Sequence, residues 1–105
     1  MIVTTTSLIE GRPVQQYLGI VNAQSIIGAN LIKDFMAGLR DVFGGRSKTY
    51  EKVLEQAKED ALRELTEKAQ ALGANAVVGV DLDFETIGGN GSMLMVIASG
   101  TAVRI

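Results

Sequence analysis

Three carboxylates alternate with apolar residues in the last third of the sequence: Asp81, Asp83 and Glu85. Alternate side chains of a β-strand lie on the same face, so a strand here places all three carboxylates together. Carboxylate oxygens are the ligands that Mg²⁺ and Ca²⁺ prefer, and the pattern is therefore a candidate site for a divalent metal ion. The simpler interpretation, which we favour, is a solvated sheet face whose charges discourage misregistered strand pairing.

A basic, glycine-rich loop precedes the longest helical segment. Free backbone N–H groups and the positive end of the helix dipole favour a phosphate or carboxylate at a helix N-terminus. The candidate anion-binding residues are Arg40, Gly44, Gly45, Arg46, Ser47 and Lys48. The alternative, which we again favour, is a glycine that ends one helix and a serine that caps the next, with the arginines paired to acidic groups. The spacing differs from that of a P-loop.

The residue types that are missing restrict the remaining chemistry. The 105 residues include no Cys and no His, which excludes disulfides, thiolate metal sites and histidine-based catalysis. Met93 and Met95 share a strand face and offer thioethers to Cu(I), although methionines more commonly fill a core or an interface. No acid–base pair and no nucleophile elbow stand out, so we expect no catalytic residues and no enzyme activity.

Length and charge indicate one globular domain over residues 1–105. A net charge of −2 provides no basic surface for nucleic acid. The N-terminus lacks the features of a signal peptide, and the most apolar stretch, residues 93–100, is too short to cross a bilayer. We therefore expect a cytoplasmic protein with no nucleic-acid partner and no membrane insertion.

Alternating and β-branched residues predict four strands, over residues 1–6, 14–28, 76–87 and 92–105. Gly19 is a candidate β-bulge in the second strand. The last two strands flank Gly88-Gly89-Asn90-Gly91, a typical hairpin turn. A one-residue slip in this hairpin decides whether the three carboxylates share a face with Met93 and Met95.

Two helices are predicted between the second and third strands. The first, over residues 31–43, has Asn30 as N-cap and apolar residues at helical spacing. Gly44–Gly45 ends it, with one glycine in the left-handed conformation.

The second helix begins with Ser47 or Thr49 as its cap and runs to about Leu72, where Gly73 stops it. Its apolar stripe comprises Tyr50, Val53, Leu54, Ala57, Ala61, Leu65, Ala69 and Leu72. The pairs Glu59–Arg63 and Glu64–Lys68 have the spacing of helix ion pairs. The predicted fold is α+β, with an antiparallel sheet of three to four strands packed on this long helix.

The predicted elements are too long for a compact subunit of this size. A 105-residue globule is about 34 Å across, whereas a 25-residue helix is roughly 37 Å long and a 14-residue strand reaches roughly 45 Å. The last strand is apolar on both faces, and one helix covers only one of them. We therefore expect a homo-oligomer, in which a neighbouring subunit covers the second face.

Several segments together resemble one known family. They are residues 38–47 (GLRDVFGGRS) followed by Tyr50-Glu51, residues 71–80 (ALGANAVVGV), Thr4-Thr5, and residues 99–103 (SGTAV). This combination resembles the YbjQ-like family of small bacterial proteins, which carries a heavy-metal-binding label and has no firmly established activity. The resemblance implies a dodecin-like β-α-β-β subunit that assembles as a cyclic pentamer, or as a stacked decamer.

The expected function is a ring-forming module that binds a metal ion or a small anion at subunit interfaces or in a central channel. The cofactor is not identified by the sequence; a divalent metal ion is the candidate. The alternative is an assembly that acts only through structure or protein partners, and an enzyme comes third.

Overall fold

The computed structural model of the chain describes residues 1–28, 45–87 and 93–105. The predicted short helix over residues 31–43 and the predicted hairpin turn over residues 88–91 lie outside the described residues. The elements occur in the order β1 (Ile2–Val3), β2 (Gln16–Ile27), α1 (Gly45–Ala71), β3 (Ala76–Ile87) and β4 (Met93–Arg104).

The described strands form one four-stranded sheet in the order β1-β3-β4-β2. β4 lies between β3 and β2 and is antiparallel to both, whereas β1 is parallel to β3. The α+β prediction is confirmed, with α1 packed on one face of the sheet. The sheet is mixed and not wholly antiparallel as predicted. A short hairpin can join only antiparallel strands, such as β3 and β4, whereas the long connection from β1 to β3 allows those two strands to pair in either direction.

The predicted bulge at Gly19 in β2 is confirmed. The pairing register with β4 shifts between Tyr17 and Gly19. Gly19 has a φ of 125°, which side chains disfavour. Beyond the bulge, alternate residues of β2 are buried against α1, beginning with Val21 and Ala23.

α1 buries one stripe of its surface against the sheet. The fully buried members are spaced four residues apart: Val53, Ala57, Ala61, Leu65 and Ala69. Small alanine side chains allow the helix to approach the strands closely. Leu54 and Leu62 pack at the margin of this core, whereas Leu72 is 47% exposed, so the predicted stripe extends one turn too far.

α1 begins earlier than predicted. The described helix already includes Gly45, so the backbone of Ser47 and Thr49 is helical and neither residue occupies the non-helical N-cap position. The same result excludes Gly45 as a left-handed stop for the preceding segment.

The C-terminal end of α1 is held by contacts to the end of the chain. Gly73 has a φ of 88° and donates its N–H to the Gln70 carbonyl at 2.9 Å, which confirms the predicted stop. Arg104 Nη1 donates to the Gly73 carbonyl at 2.7 Å. The Asn75 side chain accepts the Ile105 N–H at 2.8 Å and donates to the Ile105 carbonyl at 3.1 Å, so it ties β4 to the helix–strand turn.

The two ion pairs predicted on α1 have different outcomes. Lys68 Nζ lies 3.6 Å from Glu64 Oε1, as predicted. Arg63 Nη2 lies 3.0 Å from Asp60 Oδ1, so the predicted partner Glu59 is wrong. Residues three and four positions apart are both neighbours on a helix surface, and spacing alone could not distinguish them.

β3 contains a second bulge that its sequence did not predict. The register with β4 shifts between Val78 and Asp81, so Gly79 and Val80 together lie opposite Gly100. Gly79 has a φ of 62°, a conformation suited to glycine. The extra residue reverses the alternation of side chains: residues 76 and 78 lie on the face away from α1, and beyond the bulge residues 81, 83 and 85 occupy that face.

Gly100 is tightly enclosed by the bulged strand. A Cβ atom at this position would lie 2.8 Å from Val77 Cγ1, 3.2 Å from the Val78 carbonyl oxygen and 3.2 Å from Val80 Cγ2. Contacts this short cannot be accommodated without displacing β3. Glycine is therefore required sterically at the residue that faces the bulge.

The N-terminal segment continues along β3 after β1 ends. Thr4 donates its N–H to the Val77 carbonyl at 2.9 Å, and its own carbonyl accepts the Val80 N–H at 3.0 Å. The Thr6 carbonyl accepts the Gly79 N–H at 2.8 Å. These bonds satisfy the backbone of the bulge, which explains why β1 is shorter than the predicted strand over residues 1–6.

A small second core forms on the face of the sheet opposite α1. Ile9, Val14 and Ile105 pack there on the buried side chains of Ala76, Val78 and Val103. The N-terminal loop thus covers one end of this face.

The chain is elongated. Its Cα radius of gyration is 16.7 Å and its principal extents are 52 × 27 × 18 Å. A compact chain of this length has a radius of gyration of about 13 Å. The expectation that the helix and strands exceed a compact globule is confirmed.

We expect Gly100→Ala to lower the free energy of unfolding by about 1–3 kcal/mol, because the new methyl group overlaps Val77 and Val80. Urea denaturation measures the loss. Ser99→Ala, at the adjacent position, is the control. In a Val77→Ala background the cost of Gly100→Ala should fall, and an equal cost in both backgrounds would contradict the steric explanation.

Candidate functional site

The candidate site is the part of the sheet face opposite α1 that the N-terminal loop leaves uncovered. We call this surface the open face. Its residues are Asp81, Asp83 and Glu85 of β3, Met93, Met95, Ile97 and Ser99 of β4, and Ile20, Asn22, Gln24 and Ile26 of β2. Their sequence neighbours on each strand point toward α1.

The pairing register arranges the open face in rows across three strands. The rows are Asp81–Ser99–Asn22, Asp83–Ile97–Gln24 and Glu85–Met95–Ile26. Side chains in directly opposite positions share a face, so the carboxylates lie on the same side as Met93 and Met95. This settles the question that a one-residue slip of the hairpin left open.

The three carboxylates repel one another on this face. The pKa of Asp83 is raised above its ordinary value, first by the charge of Asp81, then by a hydrogen bond between the two side chains, with smaller effects from desolvation and the charge of Glu85. All three side chains are exposed. The structure therefore places Asp81 and Glu85 close enough to Asp83 for their charges to raise its pKa.

The described residues of the chain do not form a closed metal site. Among them, no group of three or more His, Cys, Asp or Glu side chains has a geometry that could hold a metal ion. Met93 and Met95 are half-buried beside the carboxylates. A cation on this face would need water or groups from another molecule to complete its coordination.

The predicted anion site lies largely beyond what the structure describes. Arg40 and Gly44 fall outside the described residues, as do the side chains of Arg46, Ser47 and Lys48. The backbone places Gly45 at the first position of α1. The anion site stays a prediction.

The sequence did not indicate a second surface, on the side of β3 that faces α1. Leu82 and Phe84 point to this side, but α1 packs mainly on β2 and β4. Leu82 is half-buried, and Phe84 is 49% exposed. We call these two side chains the apolar strip.

In the described part of the chain, no helix is both long enough and apolar enough to span a membrane.

Comparison with known proteins gives a family match over the whole chain. The family model YbjQ_1, described as "Putative heavy-metal-binding", matches residues 1–105. Two relatives from two strains of Caulobacter vibrioides, NA1000 / CB15N and ATCC 19089 / CIP 103742 / CB 15, are each named "UPF0145 protein". Each is 57% identical over 103 residues, which cover 98% of this chain and 98% of the relative.

A solved structure shares the fold. It is a protein of unknown function from Pediococcus pentosaceus ATCC 25745, assigned to the DUF74 family, with 21% sequence identity and a TM-score of 0.66. The match covers 100% of this chain and 97% of that chain. None of these names describes an enzymatic activity.

Asp83→Asn should raise the melting temperature at pH 7. A raised pKa means that the folded state binds the Asp83 proton more tightly than the unfolded chain does, so the ionised carboxylate destabilises the fold above that pKa. Below its raised pKa, Asp83 is protonated in the folded protein and no longer repels Asp81. The difference in melting temperature between Asp83→Asn and the unmodified protein should therefore shrink as the pH falls toward 3.8, the ordinary pKa of an aspartate. Thermal unfolding across this range, with Glu67→Gln as the control, tests the sign; a lower melting temperature for Asp83→Asn at pH 7 would contradict it.

Proposed function

Because this chain belongs to the YbjQ family, we propose that it acts as a non-enzymatic, self-associating module whose copies bury the apolar strip and share the open face. One observation carries the proposal: Phe84 is 49% exposed on the side of the sheet that α1 covers elsewhere. A large aromatic side chain left uncovered beside a core favours burial against another molecule.

The open face supports the same proposal. Ile20 is 81% exposed and Ile26 is 55% exposed on β2, and β4 contributes further apolar side chains between them and the carboxylates. Together with the elongated shape, these surfaces suit an assembly better than a solitary subunit. The proposal includes the ring that the resemblance implies: a dodecin-like subunit in a cyclic pentamer, or in a stacked decamer.

The residues present do not fit the heavy-metal description of the family. Soft metal ions prefer thiolate, imidazole or thioether ligands, and the sequence has no Cys, no His and only four Met. The described carboxylates form no three-ligand group. We therefore assign no step to a soft metal ion.

A hard divalent cation is the ligand that the open face supports best. Mg²⁺ and Ca²⁺ accept carboxylate, hydroxyl and amide oxygens, and all three types occur in the Asp81–Ser99–Asn22 row. A cation here would relieve the repulsion between Asp81 and Asp83. Neighbouring copies in an assembly would supply further oxygen ligands to this cation.

The predicted anion site at residues 44–48 is a separate candidate, for an acidic ligand.

The alternative is an assembly that binds no small molecule and acts through protein partners. This alternative requires the same apolar contacts and no ligand on the open face. It is distinguished by the cation experiment below.

Self-association can be tested by native mass spectrometry at micromolar concentration. The unmodified protein should form multiples of the 11.2 kDa subunit. Phe84→Thr should weaken each interface roughly 4- to 12-fold in Kd, because about half a phenylalanine side chain, worth about 0.8–1.5 kcal/mol, is no longer buried. Leu8→Thr, which alters a 62% exposed residue outside the strands, should have no effect. A monomeric unmodified protein would overturn the proposal.

Cation binding can be tested by thermal shift with Mg²⁺ or Ca²⁺ chloride at constant ionic strength. Millimolar cation should raise the melting temperature of the unmodified protein and of Glu67→Gln, and should have much less effect on the double variant Asp81→Asn/Asp83→Asn. An equal shift in all three proteins would place the cation elsewhere. No shift in an assembled protein would favour the ligand-free alternative.

A further inference from the structure

We propose that copies of this chain join by strand addition, with the outer edge of β2 in one copy pairing with the outer edge of β3, from Asp81 to Ile87, in the next. This inference rests on the proposed self-association and names the two surfaces that produce it. The argument concerns three properties of these edges: their free backbone groups, their charges and the apolar strip.

The outer edge of β3 is paired only near its start. β1 pairs with Ala76 and Val77, and the N-terminal segment then bonds to Val77, Gly79 and Val80. From Asp81 to Ile87, no described residue pairs with this edge. Among residues 1–28, 45–87 and 93–105, a seven-residue stretch of strand backbone is therefore left without a partner, and unpaired edges of this kind readily template strand addition.

The outer edge of β2 is the second available edge. β2 is the last strand of the sheet on this side, and no described strand pairs with its outer edge. One contact reaches it from α1: Lys68 Nζ donates to the Asn22 carbonyl at 2.9 Å. This contact occupies one carbonyl at the middle of the strand and places there the Lys68 ammonium group, which also lies 3.6 Å from Glu64 Oε1.

The charges of the two edges favour pairing with each other over pairing with themselves. Two β3 edges would bring the Asp81, Asp83 and Glu85 carboxylates of both copies together, and opposed like charges destabilise a strand pair. β2, from Gln16 to Ile27, contains no Asp, Glu, Lys or Arg. Its Asn22 and Gln24 side-chain amides lie on the open face, as the carboxylates do, and can donate hydrogen bonds to them.

The apolar strip would be covered by the same arrangement. Within each copy, α1 packs on β2 and β4 and barely reaches β3. In this arrangement, β2 of a second copy lies beside β3 of the first. The α1 of the second copy packs on its own β2 and therefore lies next to Leu82 and Phe84 of the first copy. The neighbouring helix thereby buries the side chains that the subunit's own helix leaves exposed.

The contact uses two different surfaces of each copy, so it is heterologous. Every copy then presents one β3 edge and one β2 edge, and repetition of the contact closes a ring or extends a chain. A ring leaves no free edge of this kind.

Paired cysteines test this geometry cleanly because the sequence has no Cys. Asp83→Cys is combined in turn with Asn22→Cys, Gln24→Cys or Ile26→Cys, which sample three registers on the open face. Within one copy, β4 separates β3 from β2, so the two cysteines lie about 9.5 Å apart in the Gln24→Cys pair and farther apart in the other two pairs, beyond the reach of a disulfide. Mild oxidation should therefore join copies into a ladder of covalent multimers for at least one pair, visible on non-reducing gels.

The control variants separate the alternatives. Asp83→Cys/Glu67→Cys, with its second cysteine on the exposed side of α1, should give no ladder. Asp83→Cys alone should remain largely uncrosslinked, and efficient dimer formation by this variant would overturn the inference in favour of β3–β3 pairing. If the unmodified protein is multimeric but none of the three pairs forms a ladder, strand addition is wrong and self-association stands. If the unmodified protein is monomeric, both fail.

Hydrogen exchange on the unmodified protein provides a second measurement. Peptides covering 81–87 and 16–27 should both gain protection as the concentration is raised through the assembly transition. Protection of only one of these peptides, or of neither in a protein shown to be multimeric, would overturn the pairing.

Discussion

The arrangement of the sheet depends on one steric constraint: two residues of β3, Gly79 and Val80, lie opposite the single residue Gly100 of β4. The additional residue shifts the alternation, so Val77 and Val80 both face α1 and enclose Gly100 between them. The same shift directs every acidic residue of β3 to the opposite face. One bulge therefore has two effects: Val77 and Val80 both pack in the core beneath α1, and the three β3 carboxylates lie on the open face.

The two ends of the sheet are covered differently as a result. At the bulge, the N-terminal segment supplies hydrogen bonds to β3, and its loop packs a small second core over Ala76, Val78 and Val103. Beyond the bulge, α1 lies mainly over β2 and β4, and Leu82 of β3 is half-buried at the margin of the core, whereas Phe84 and the β3 carboxylates are exposed. The assembly proposal rests on the exposed Phe84 of β3 together with Ile20 and Ile26 of β2, and the cation proposal rests on the β3 carboxylates and their neighbours on the open face.

Much of this fold could be predicted from the sequence, since β3 and β4 match the predicted strands to within a residue and Gly19 and Gly73 have their expected roles. The Gly79 bulge could not, because Val77, Val78 and Val80 are all apolar and a shift of the alternation among them leaves no trace. The candidate site was predicted as three carboxylates on one face. Their position beside Met95 and Ser99 required the hairpin register, which depends on backbone geometry and not on residue type. The exposure of Phe84 depends on where the helix lies across the sheet, which the apolar stripe of α1 does not specify.

The central position of β4 has a consequence for synthesis on the ribosome. β2 and β3 do not touch within the sheet, and both pair with β4, the last of the elements to be made. At about 5–20 residues per second, the interval between the end of β2 and the start of β4 is roughly 3 to 13 s. During that time the nascent chain holds amphipathic strands without their partner. β1 can pair with β3 during this interval, but β2 joins the same sheet only after β4 has been made and inserts between β2 and β3.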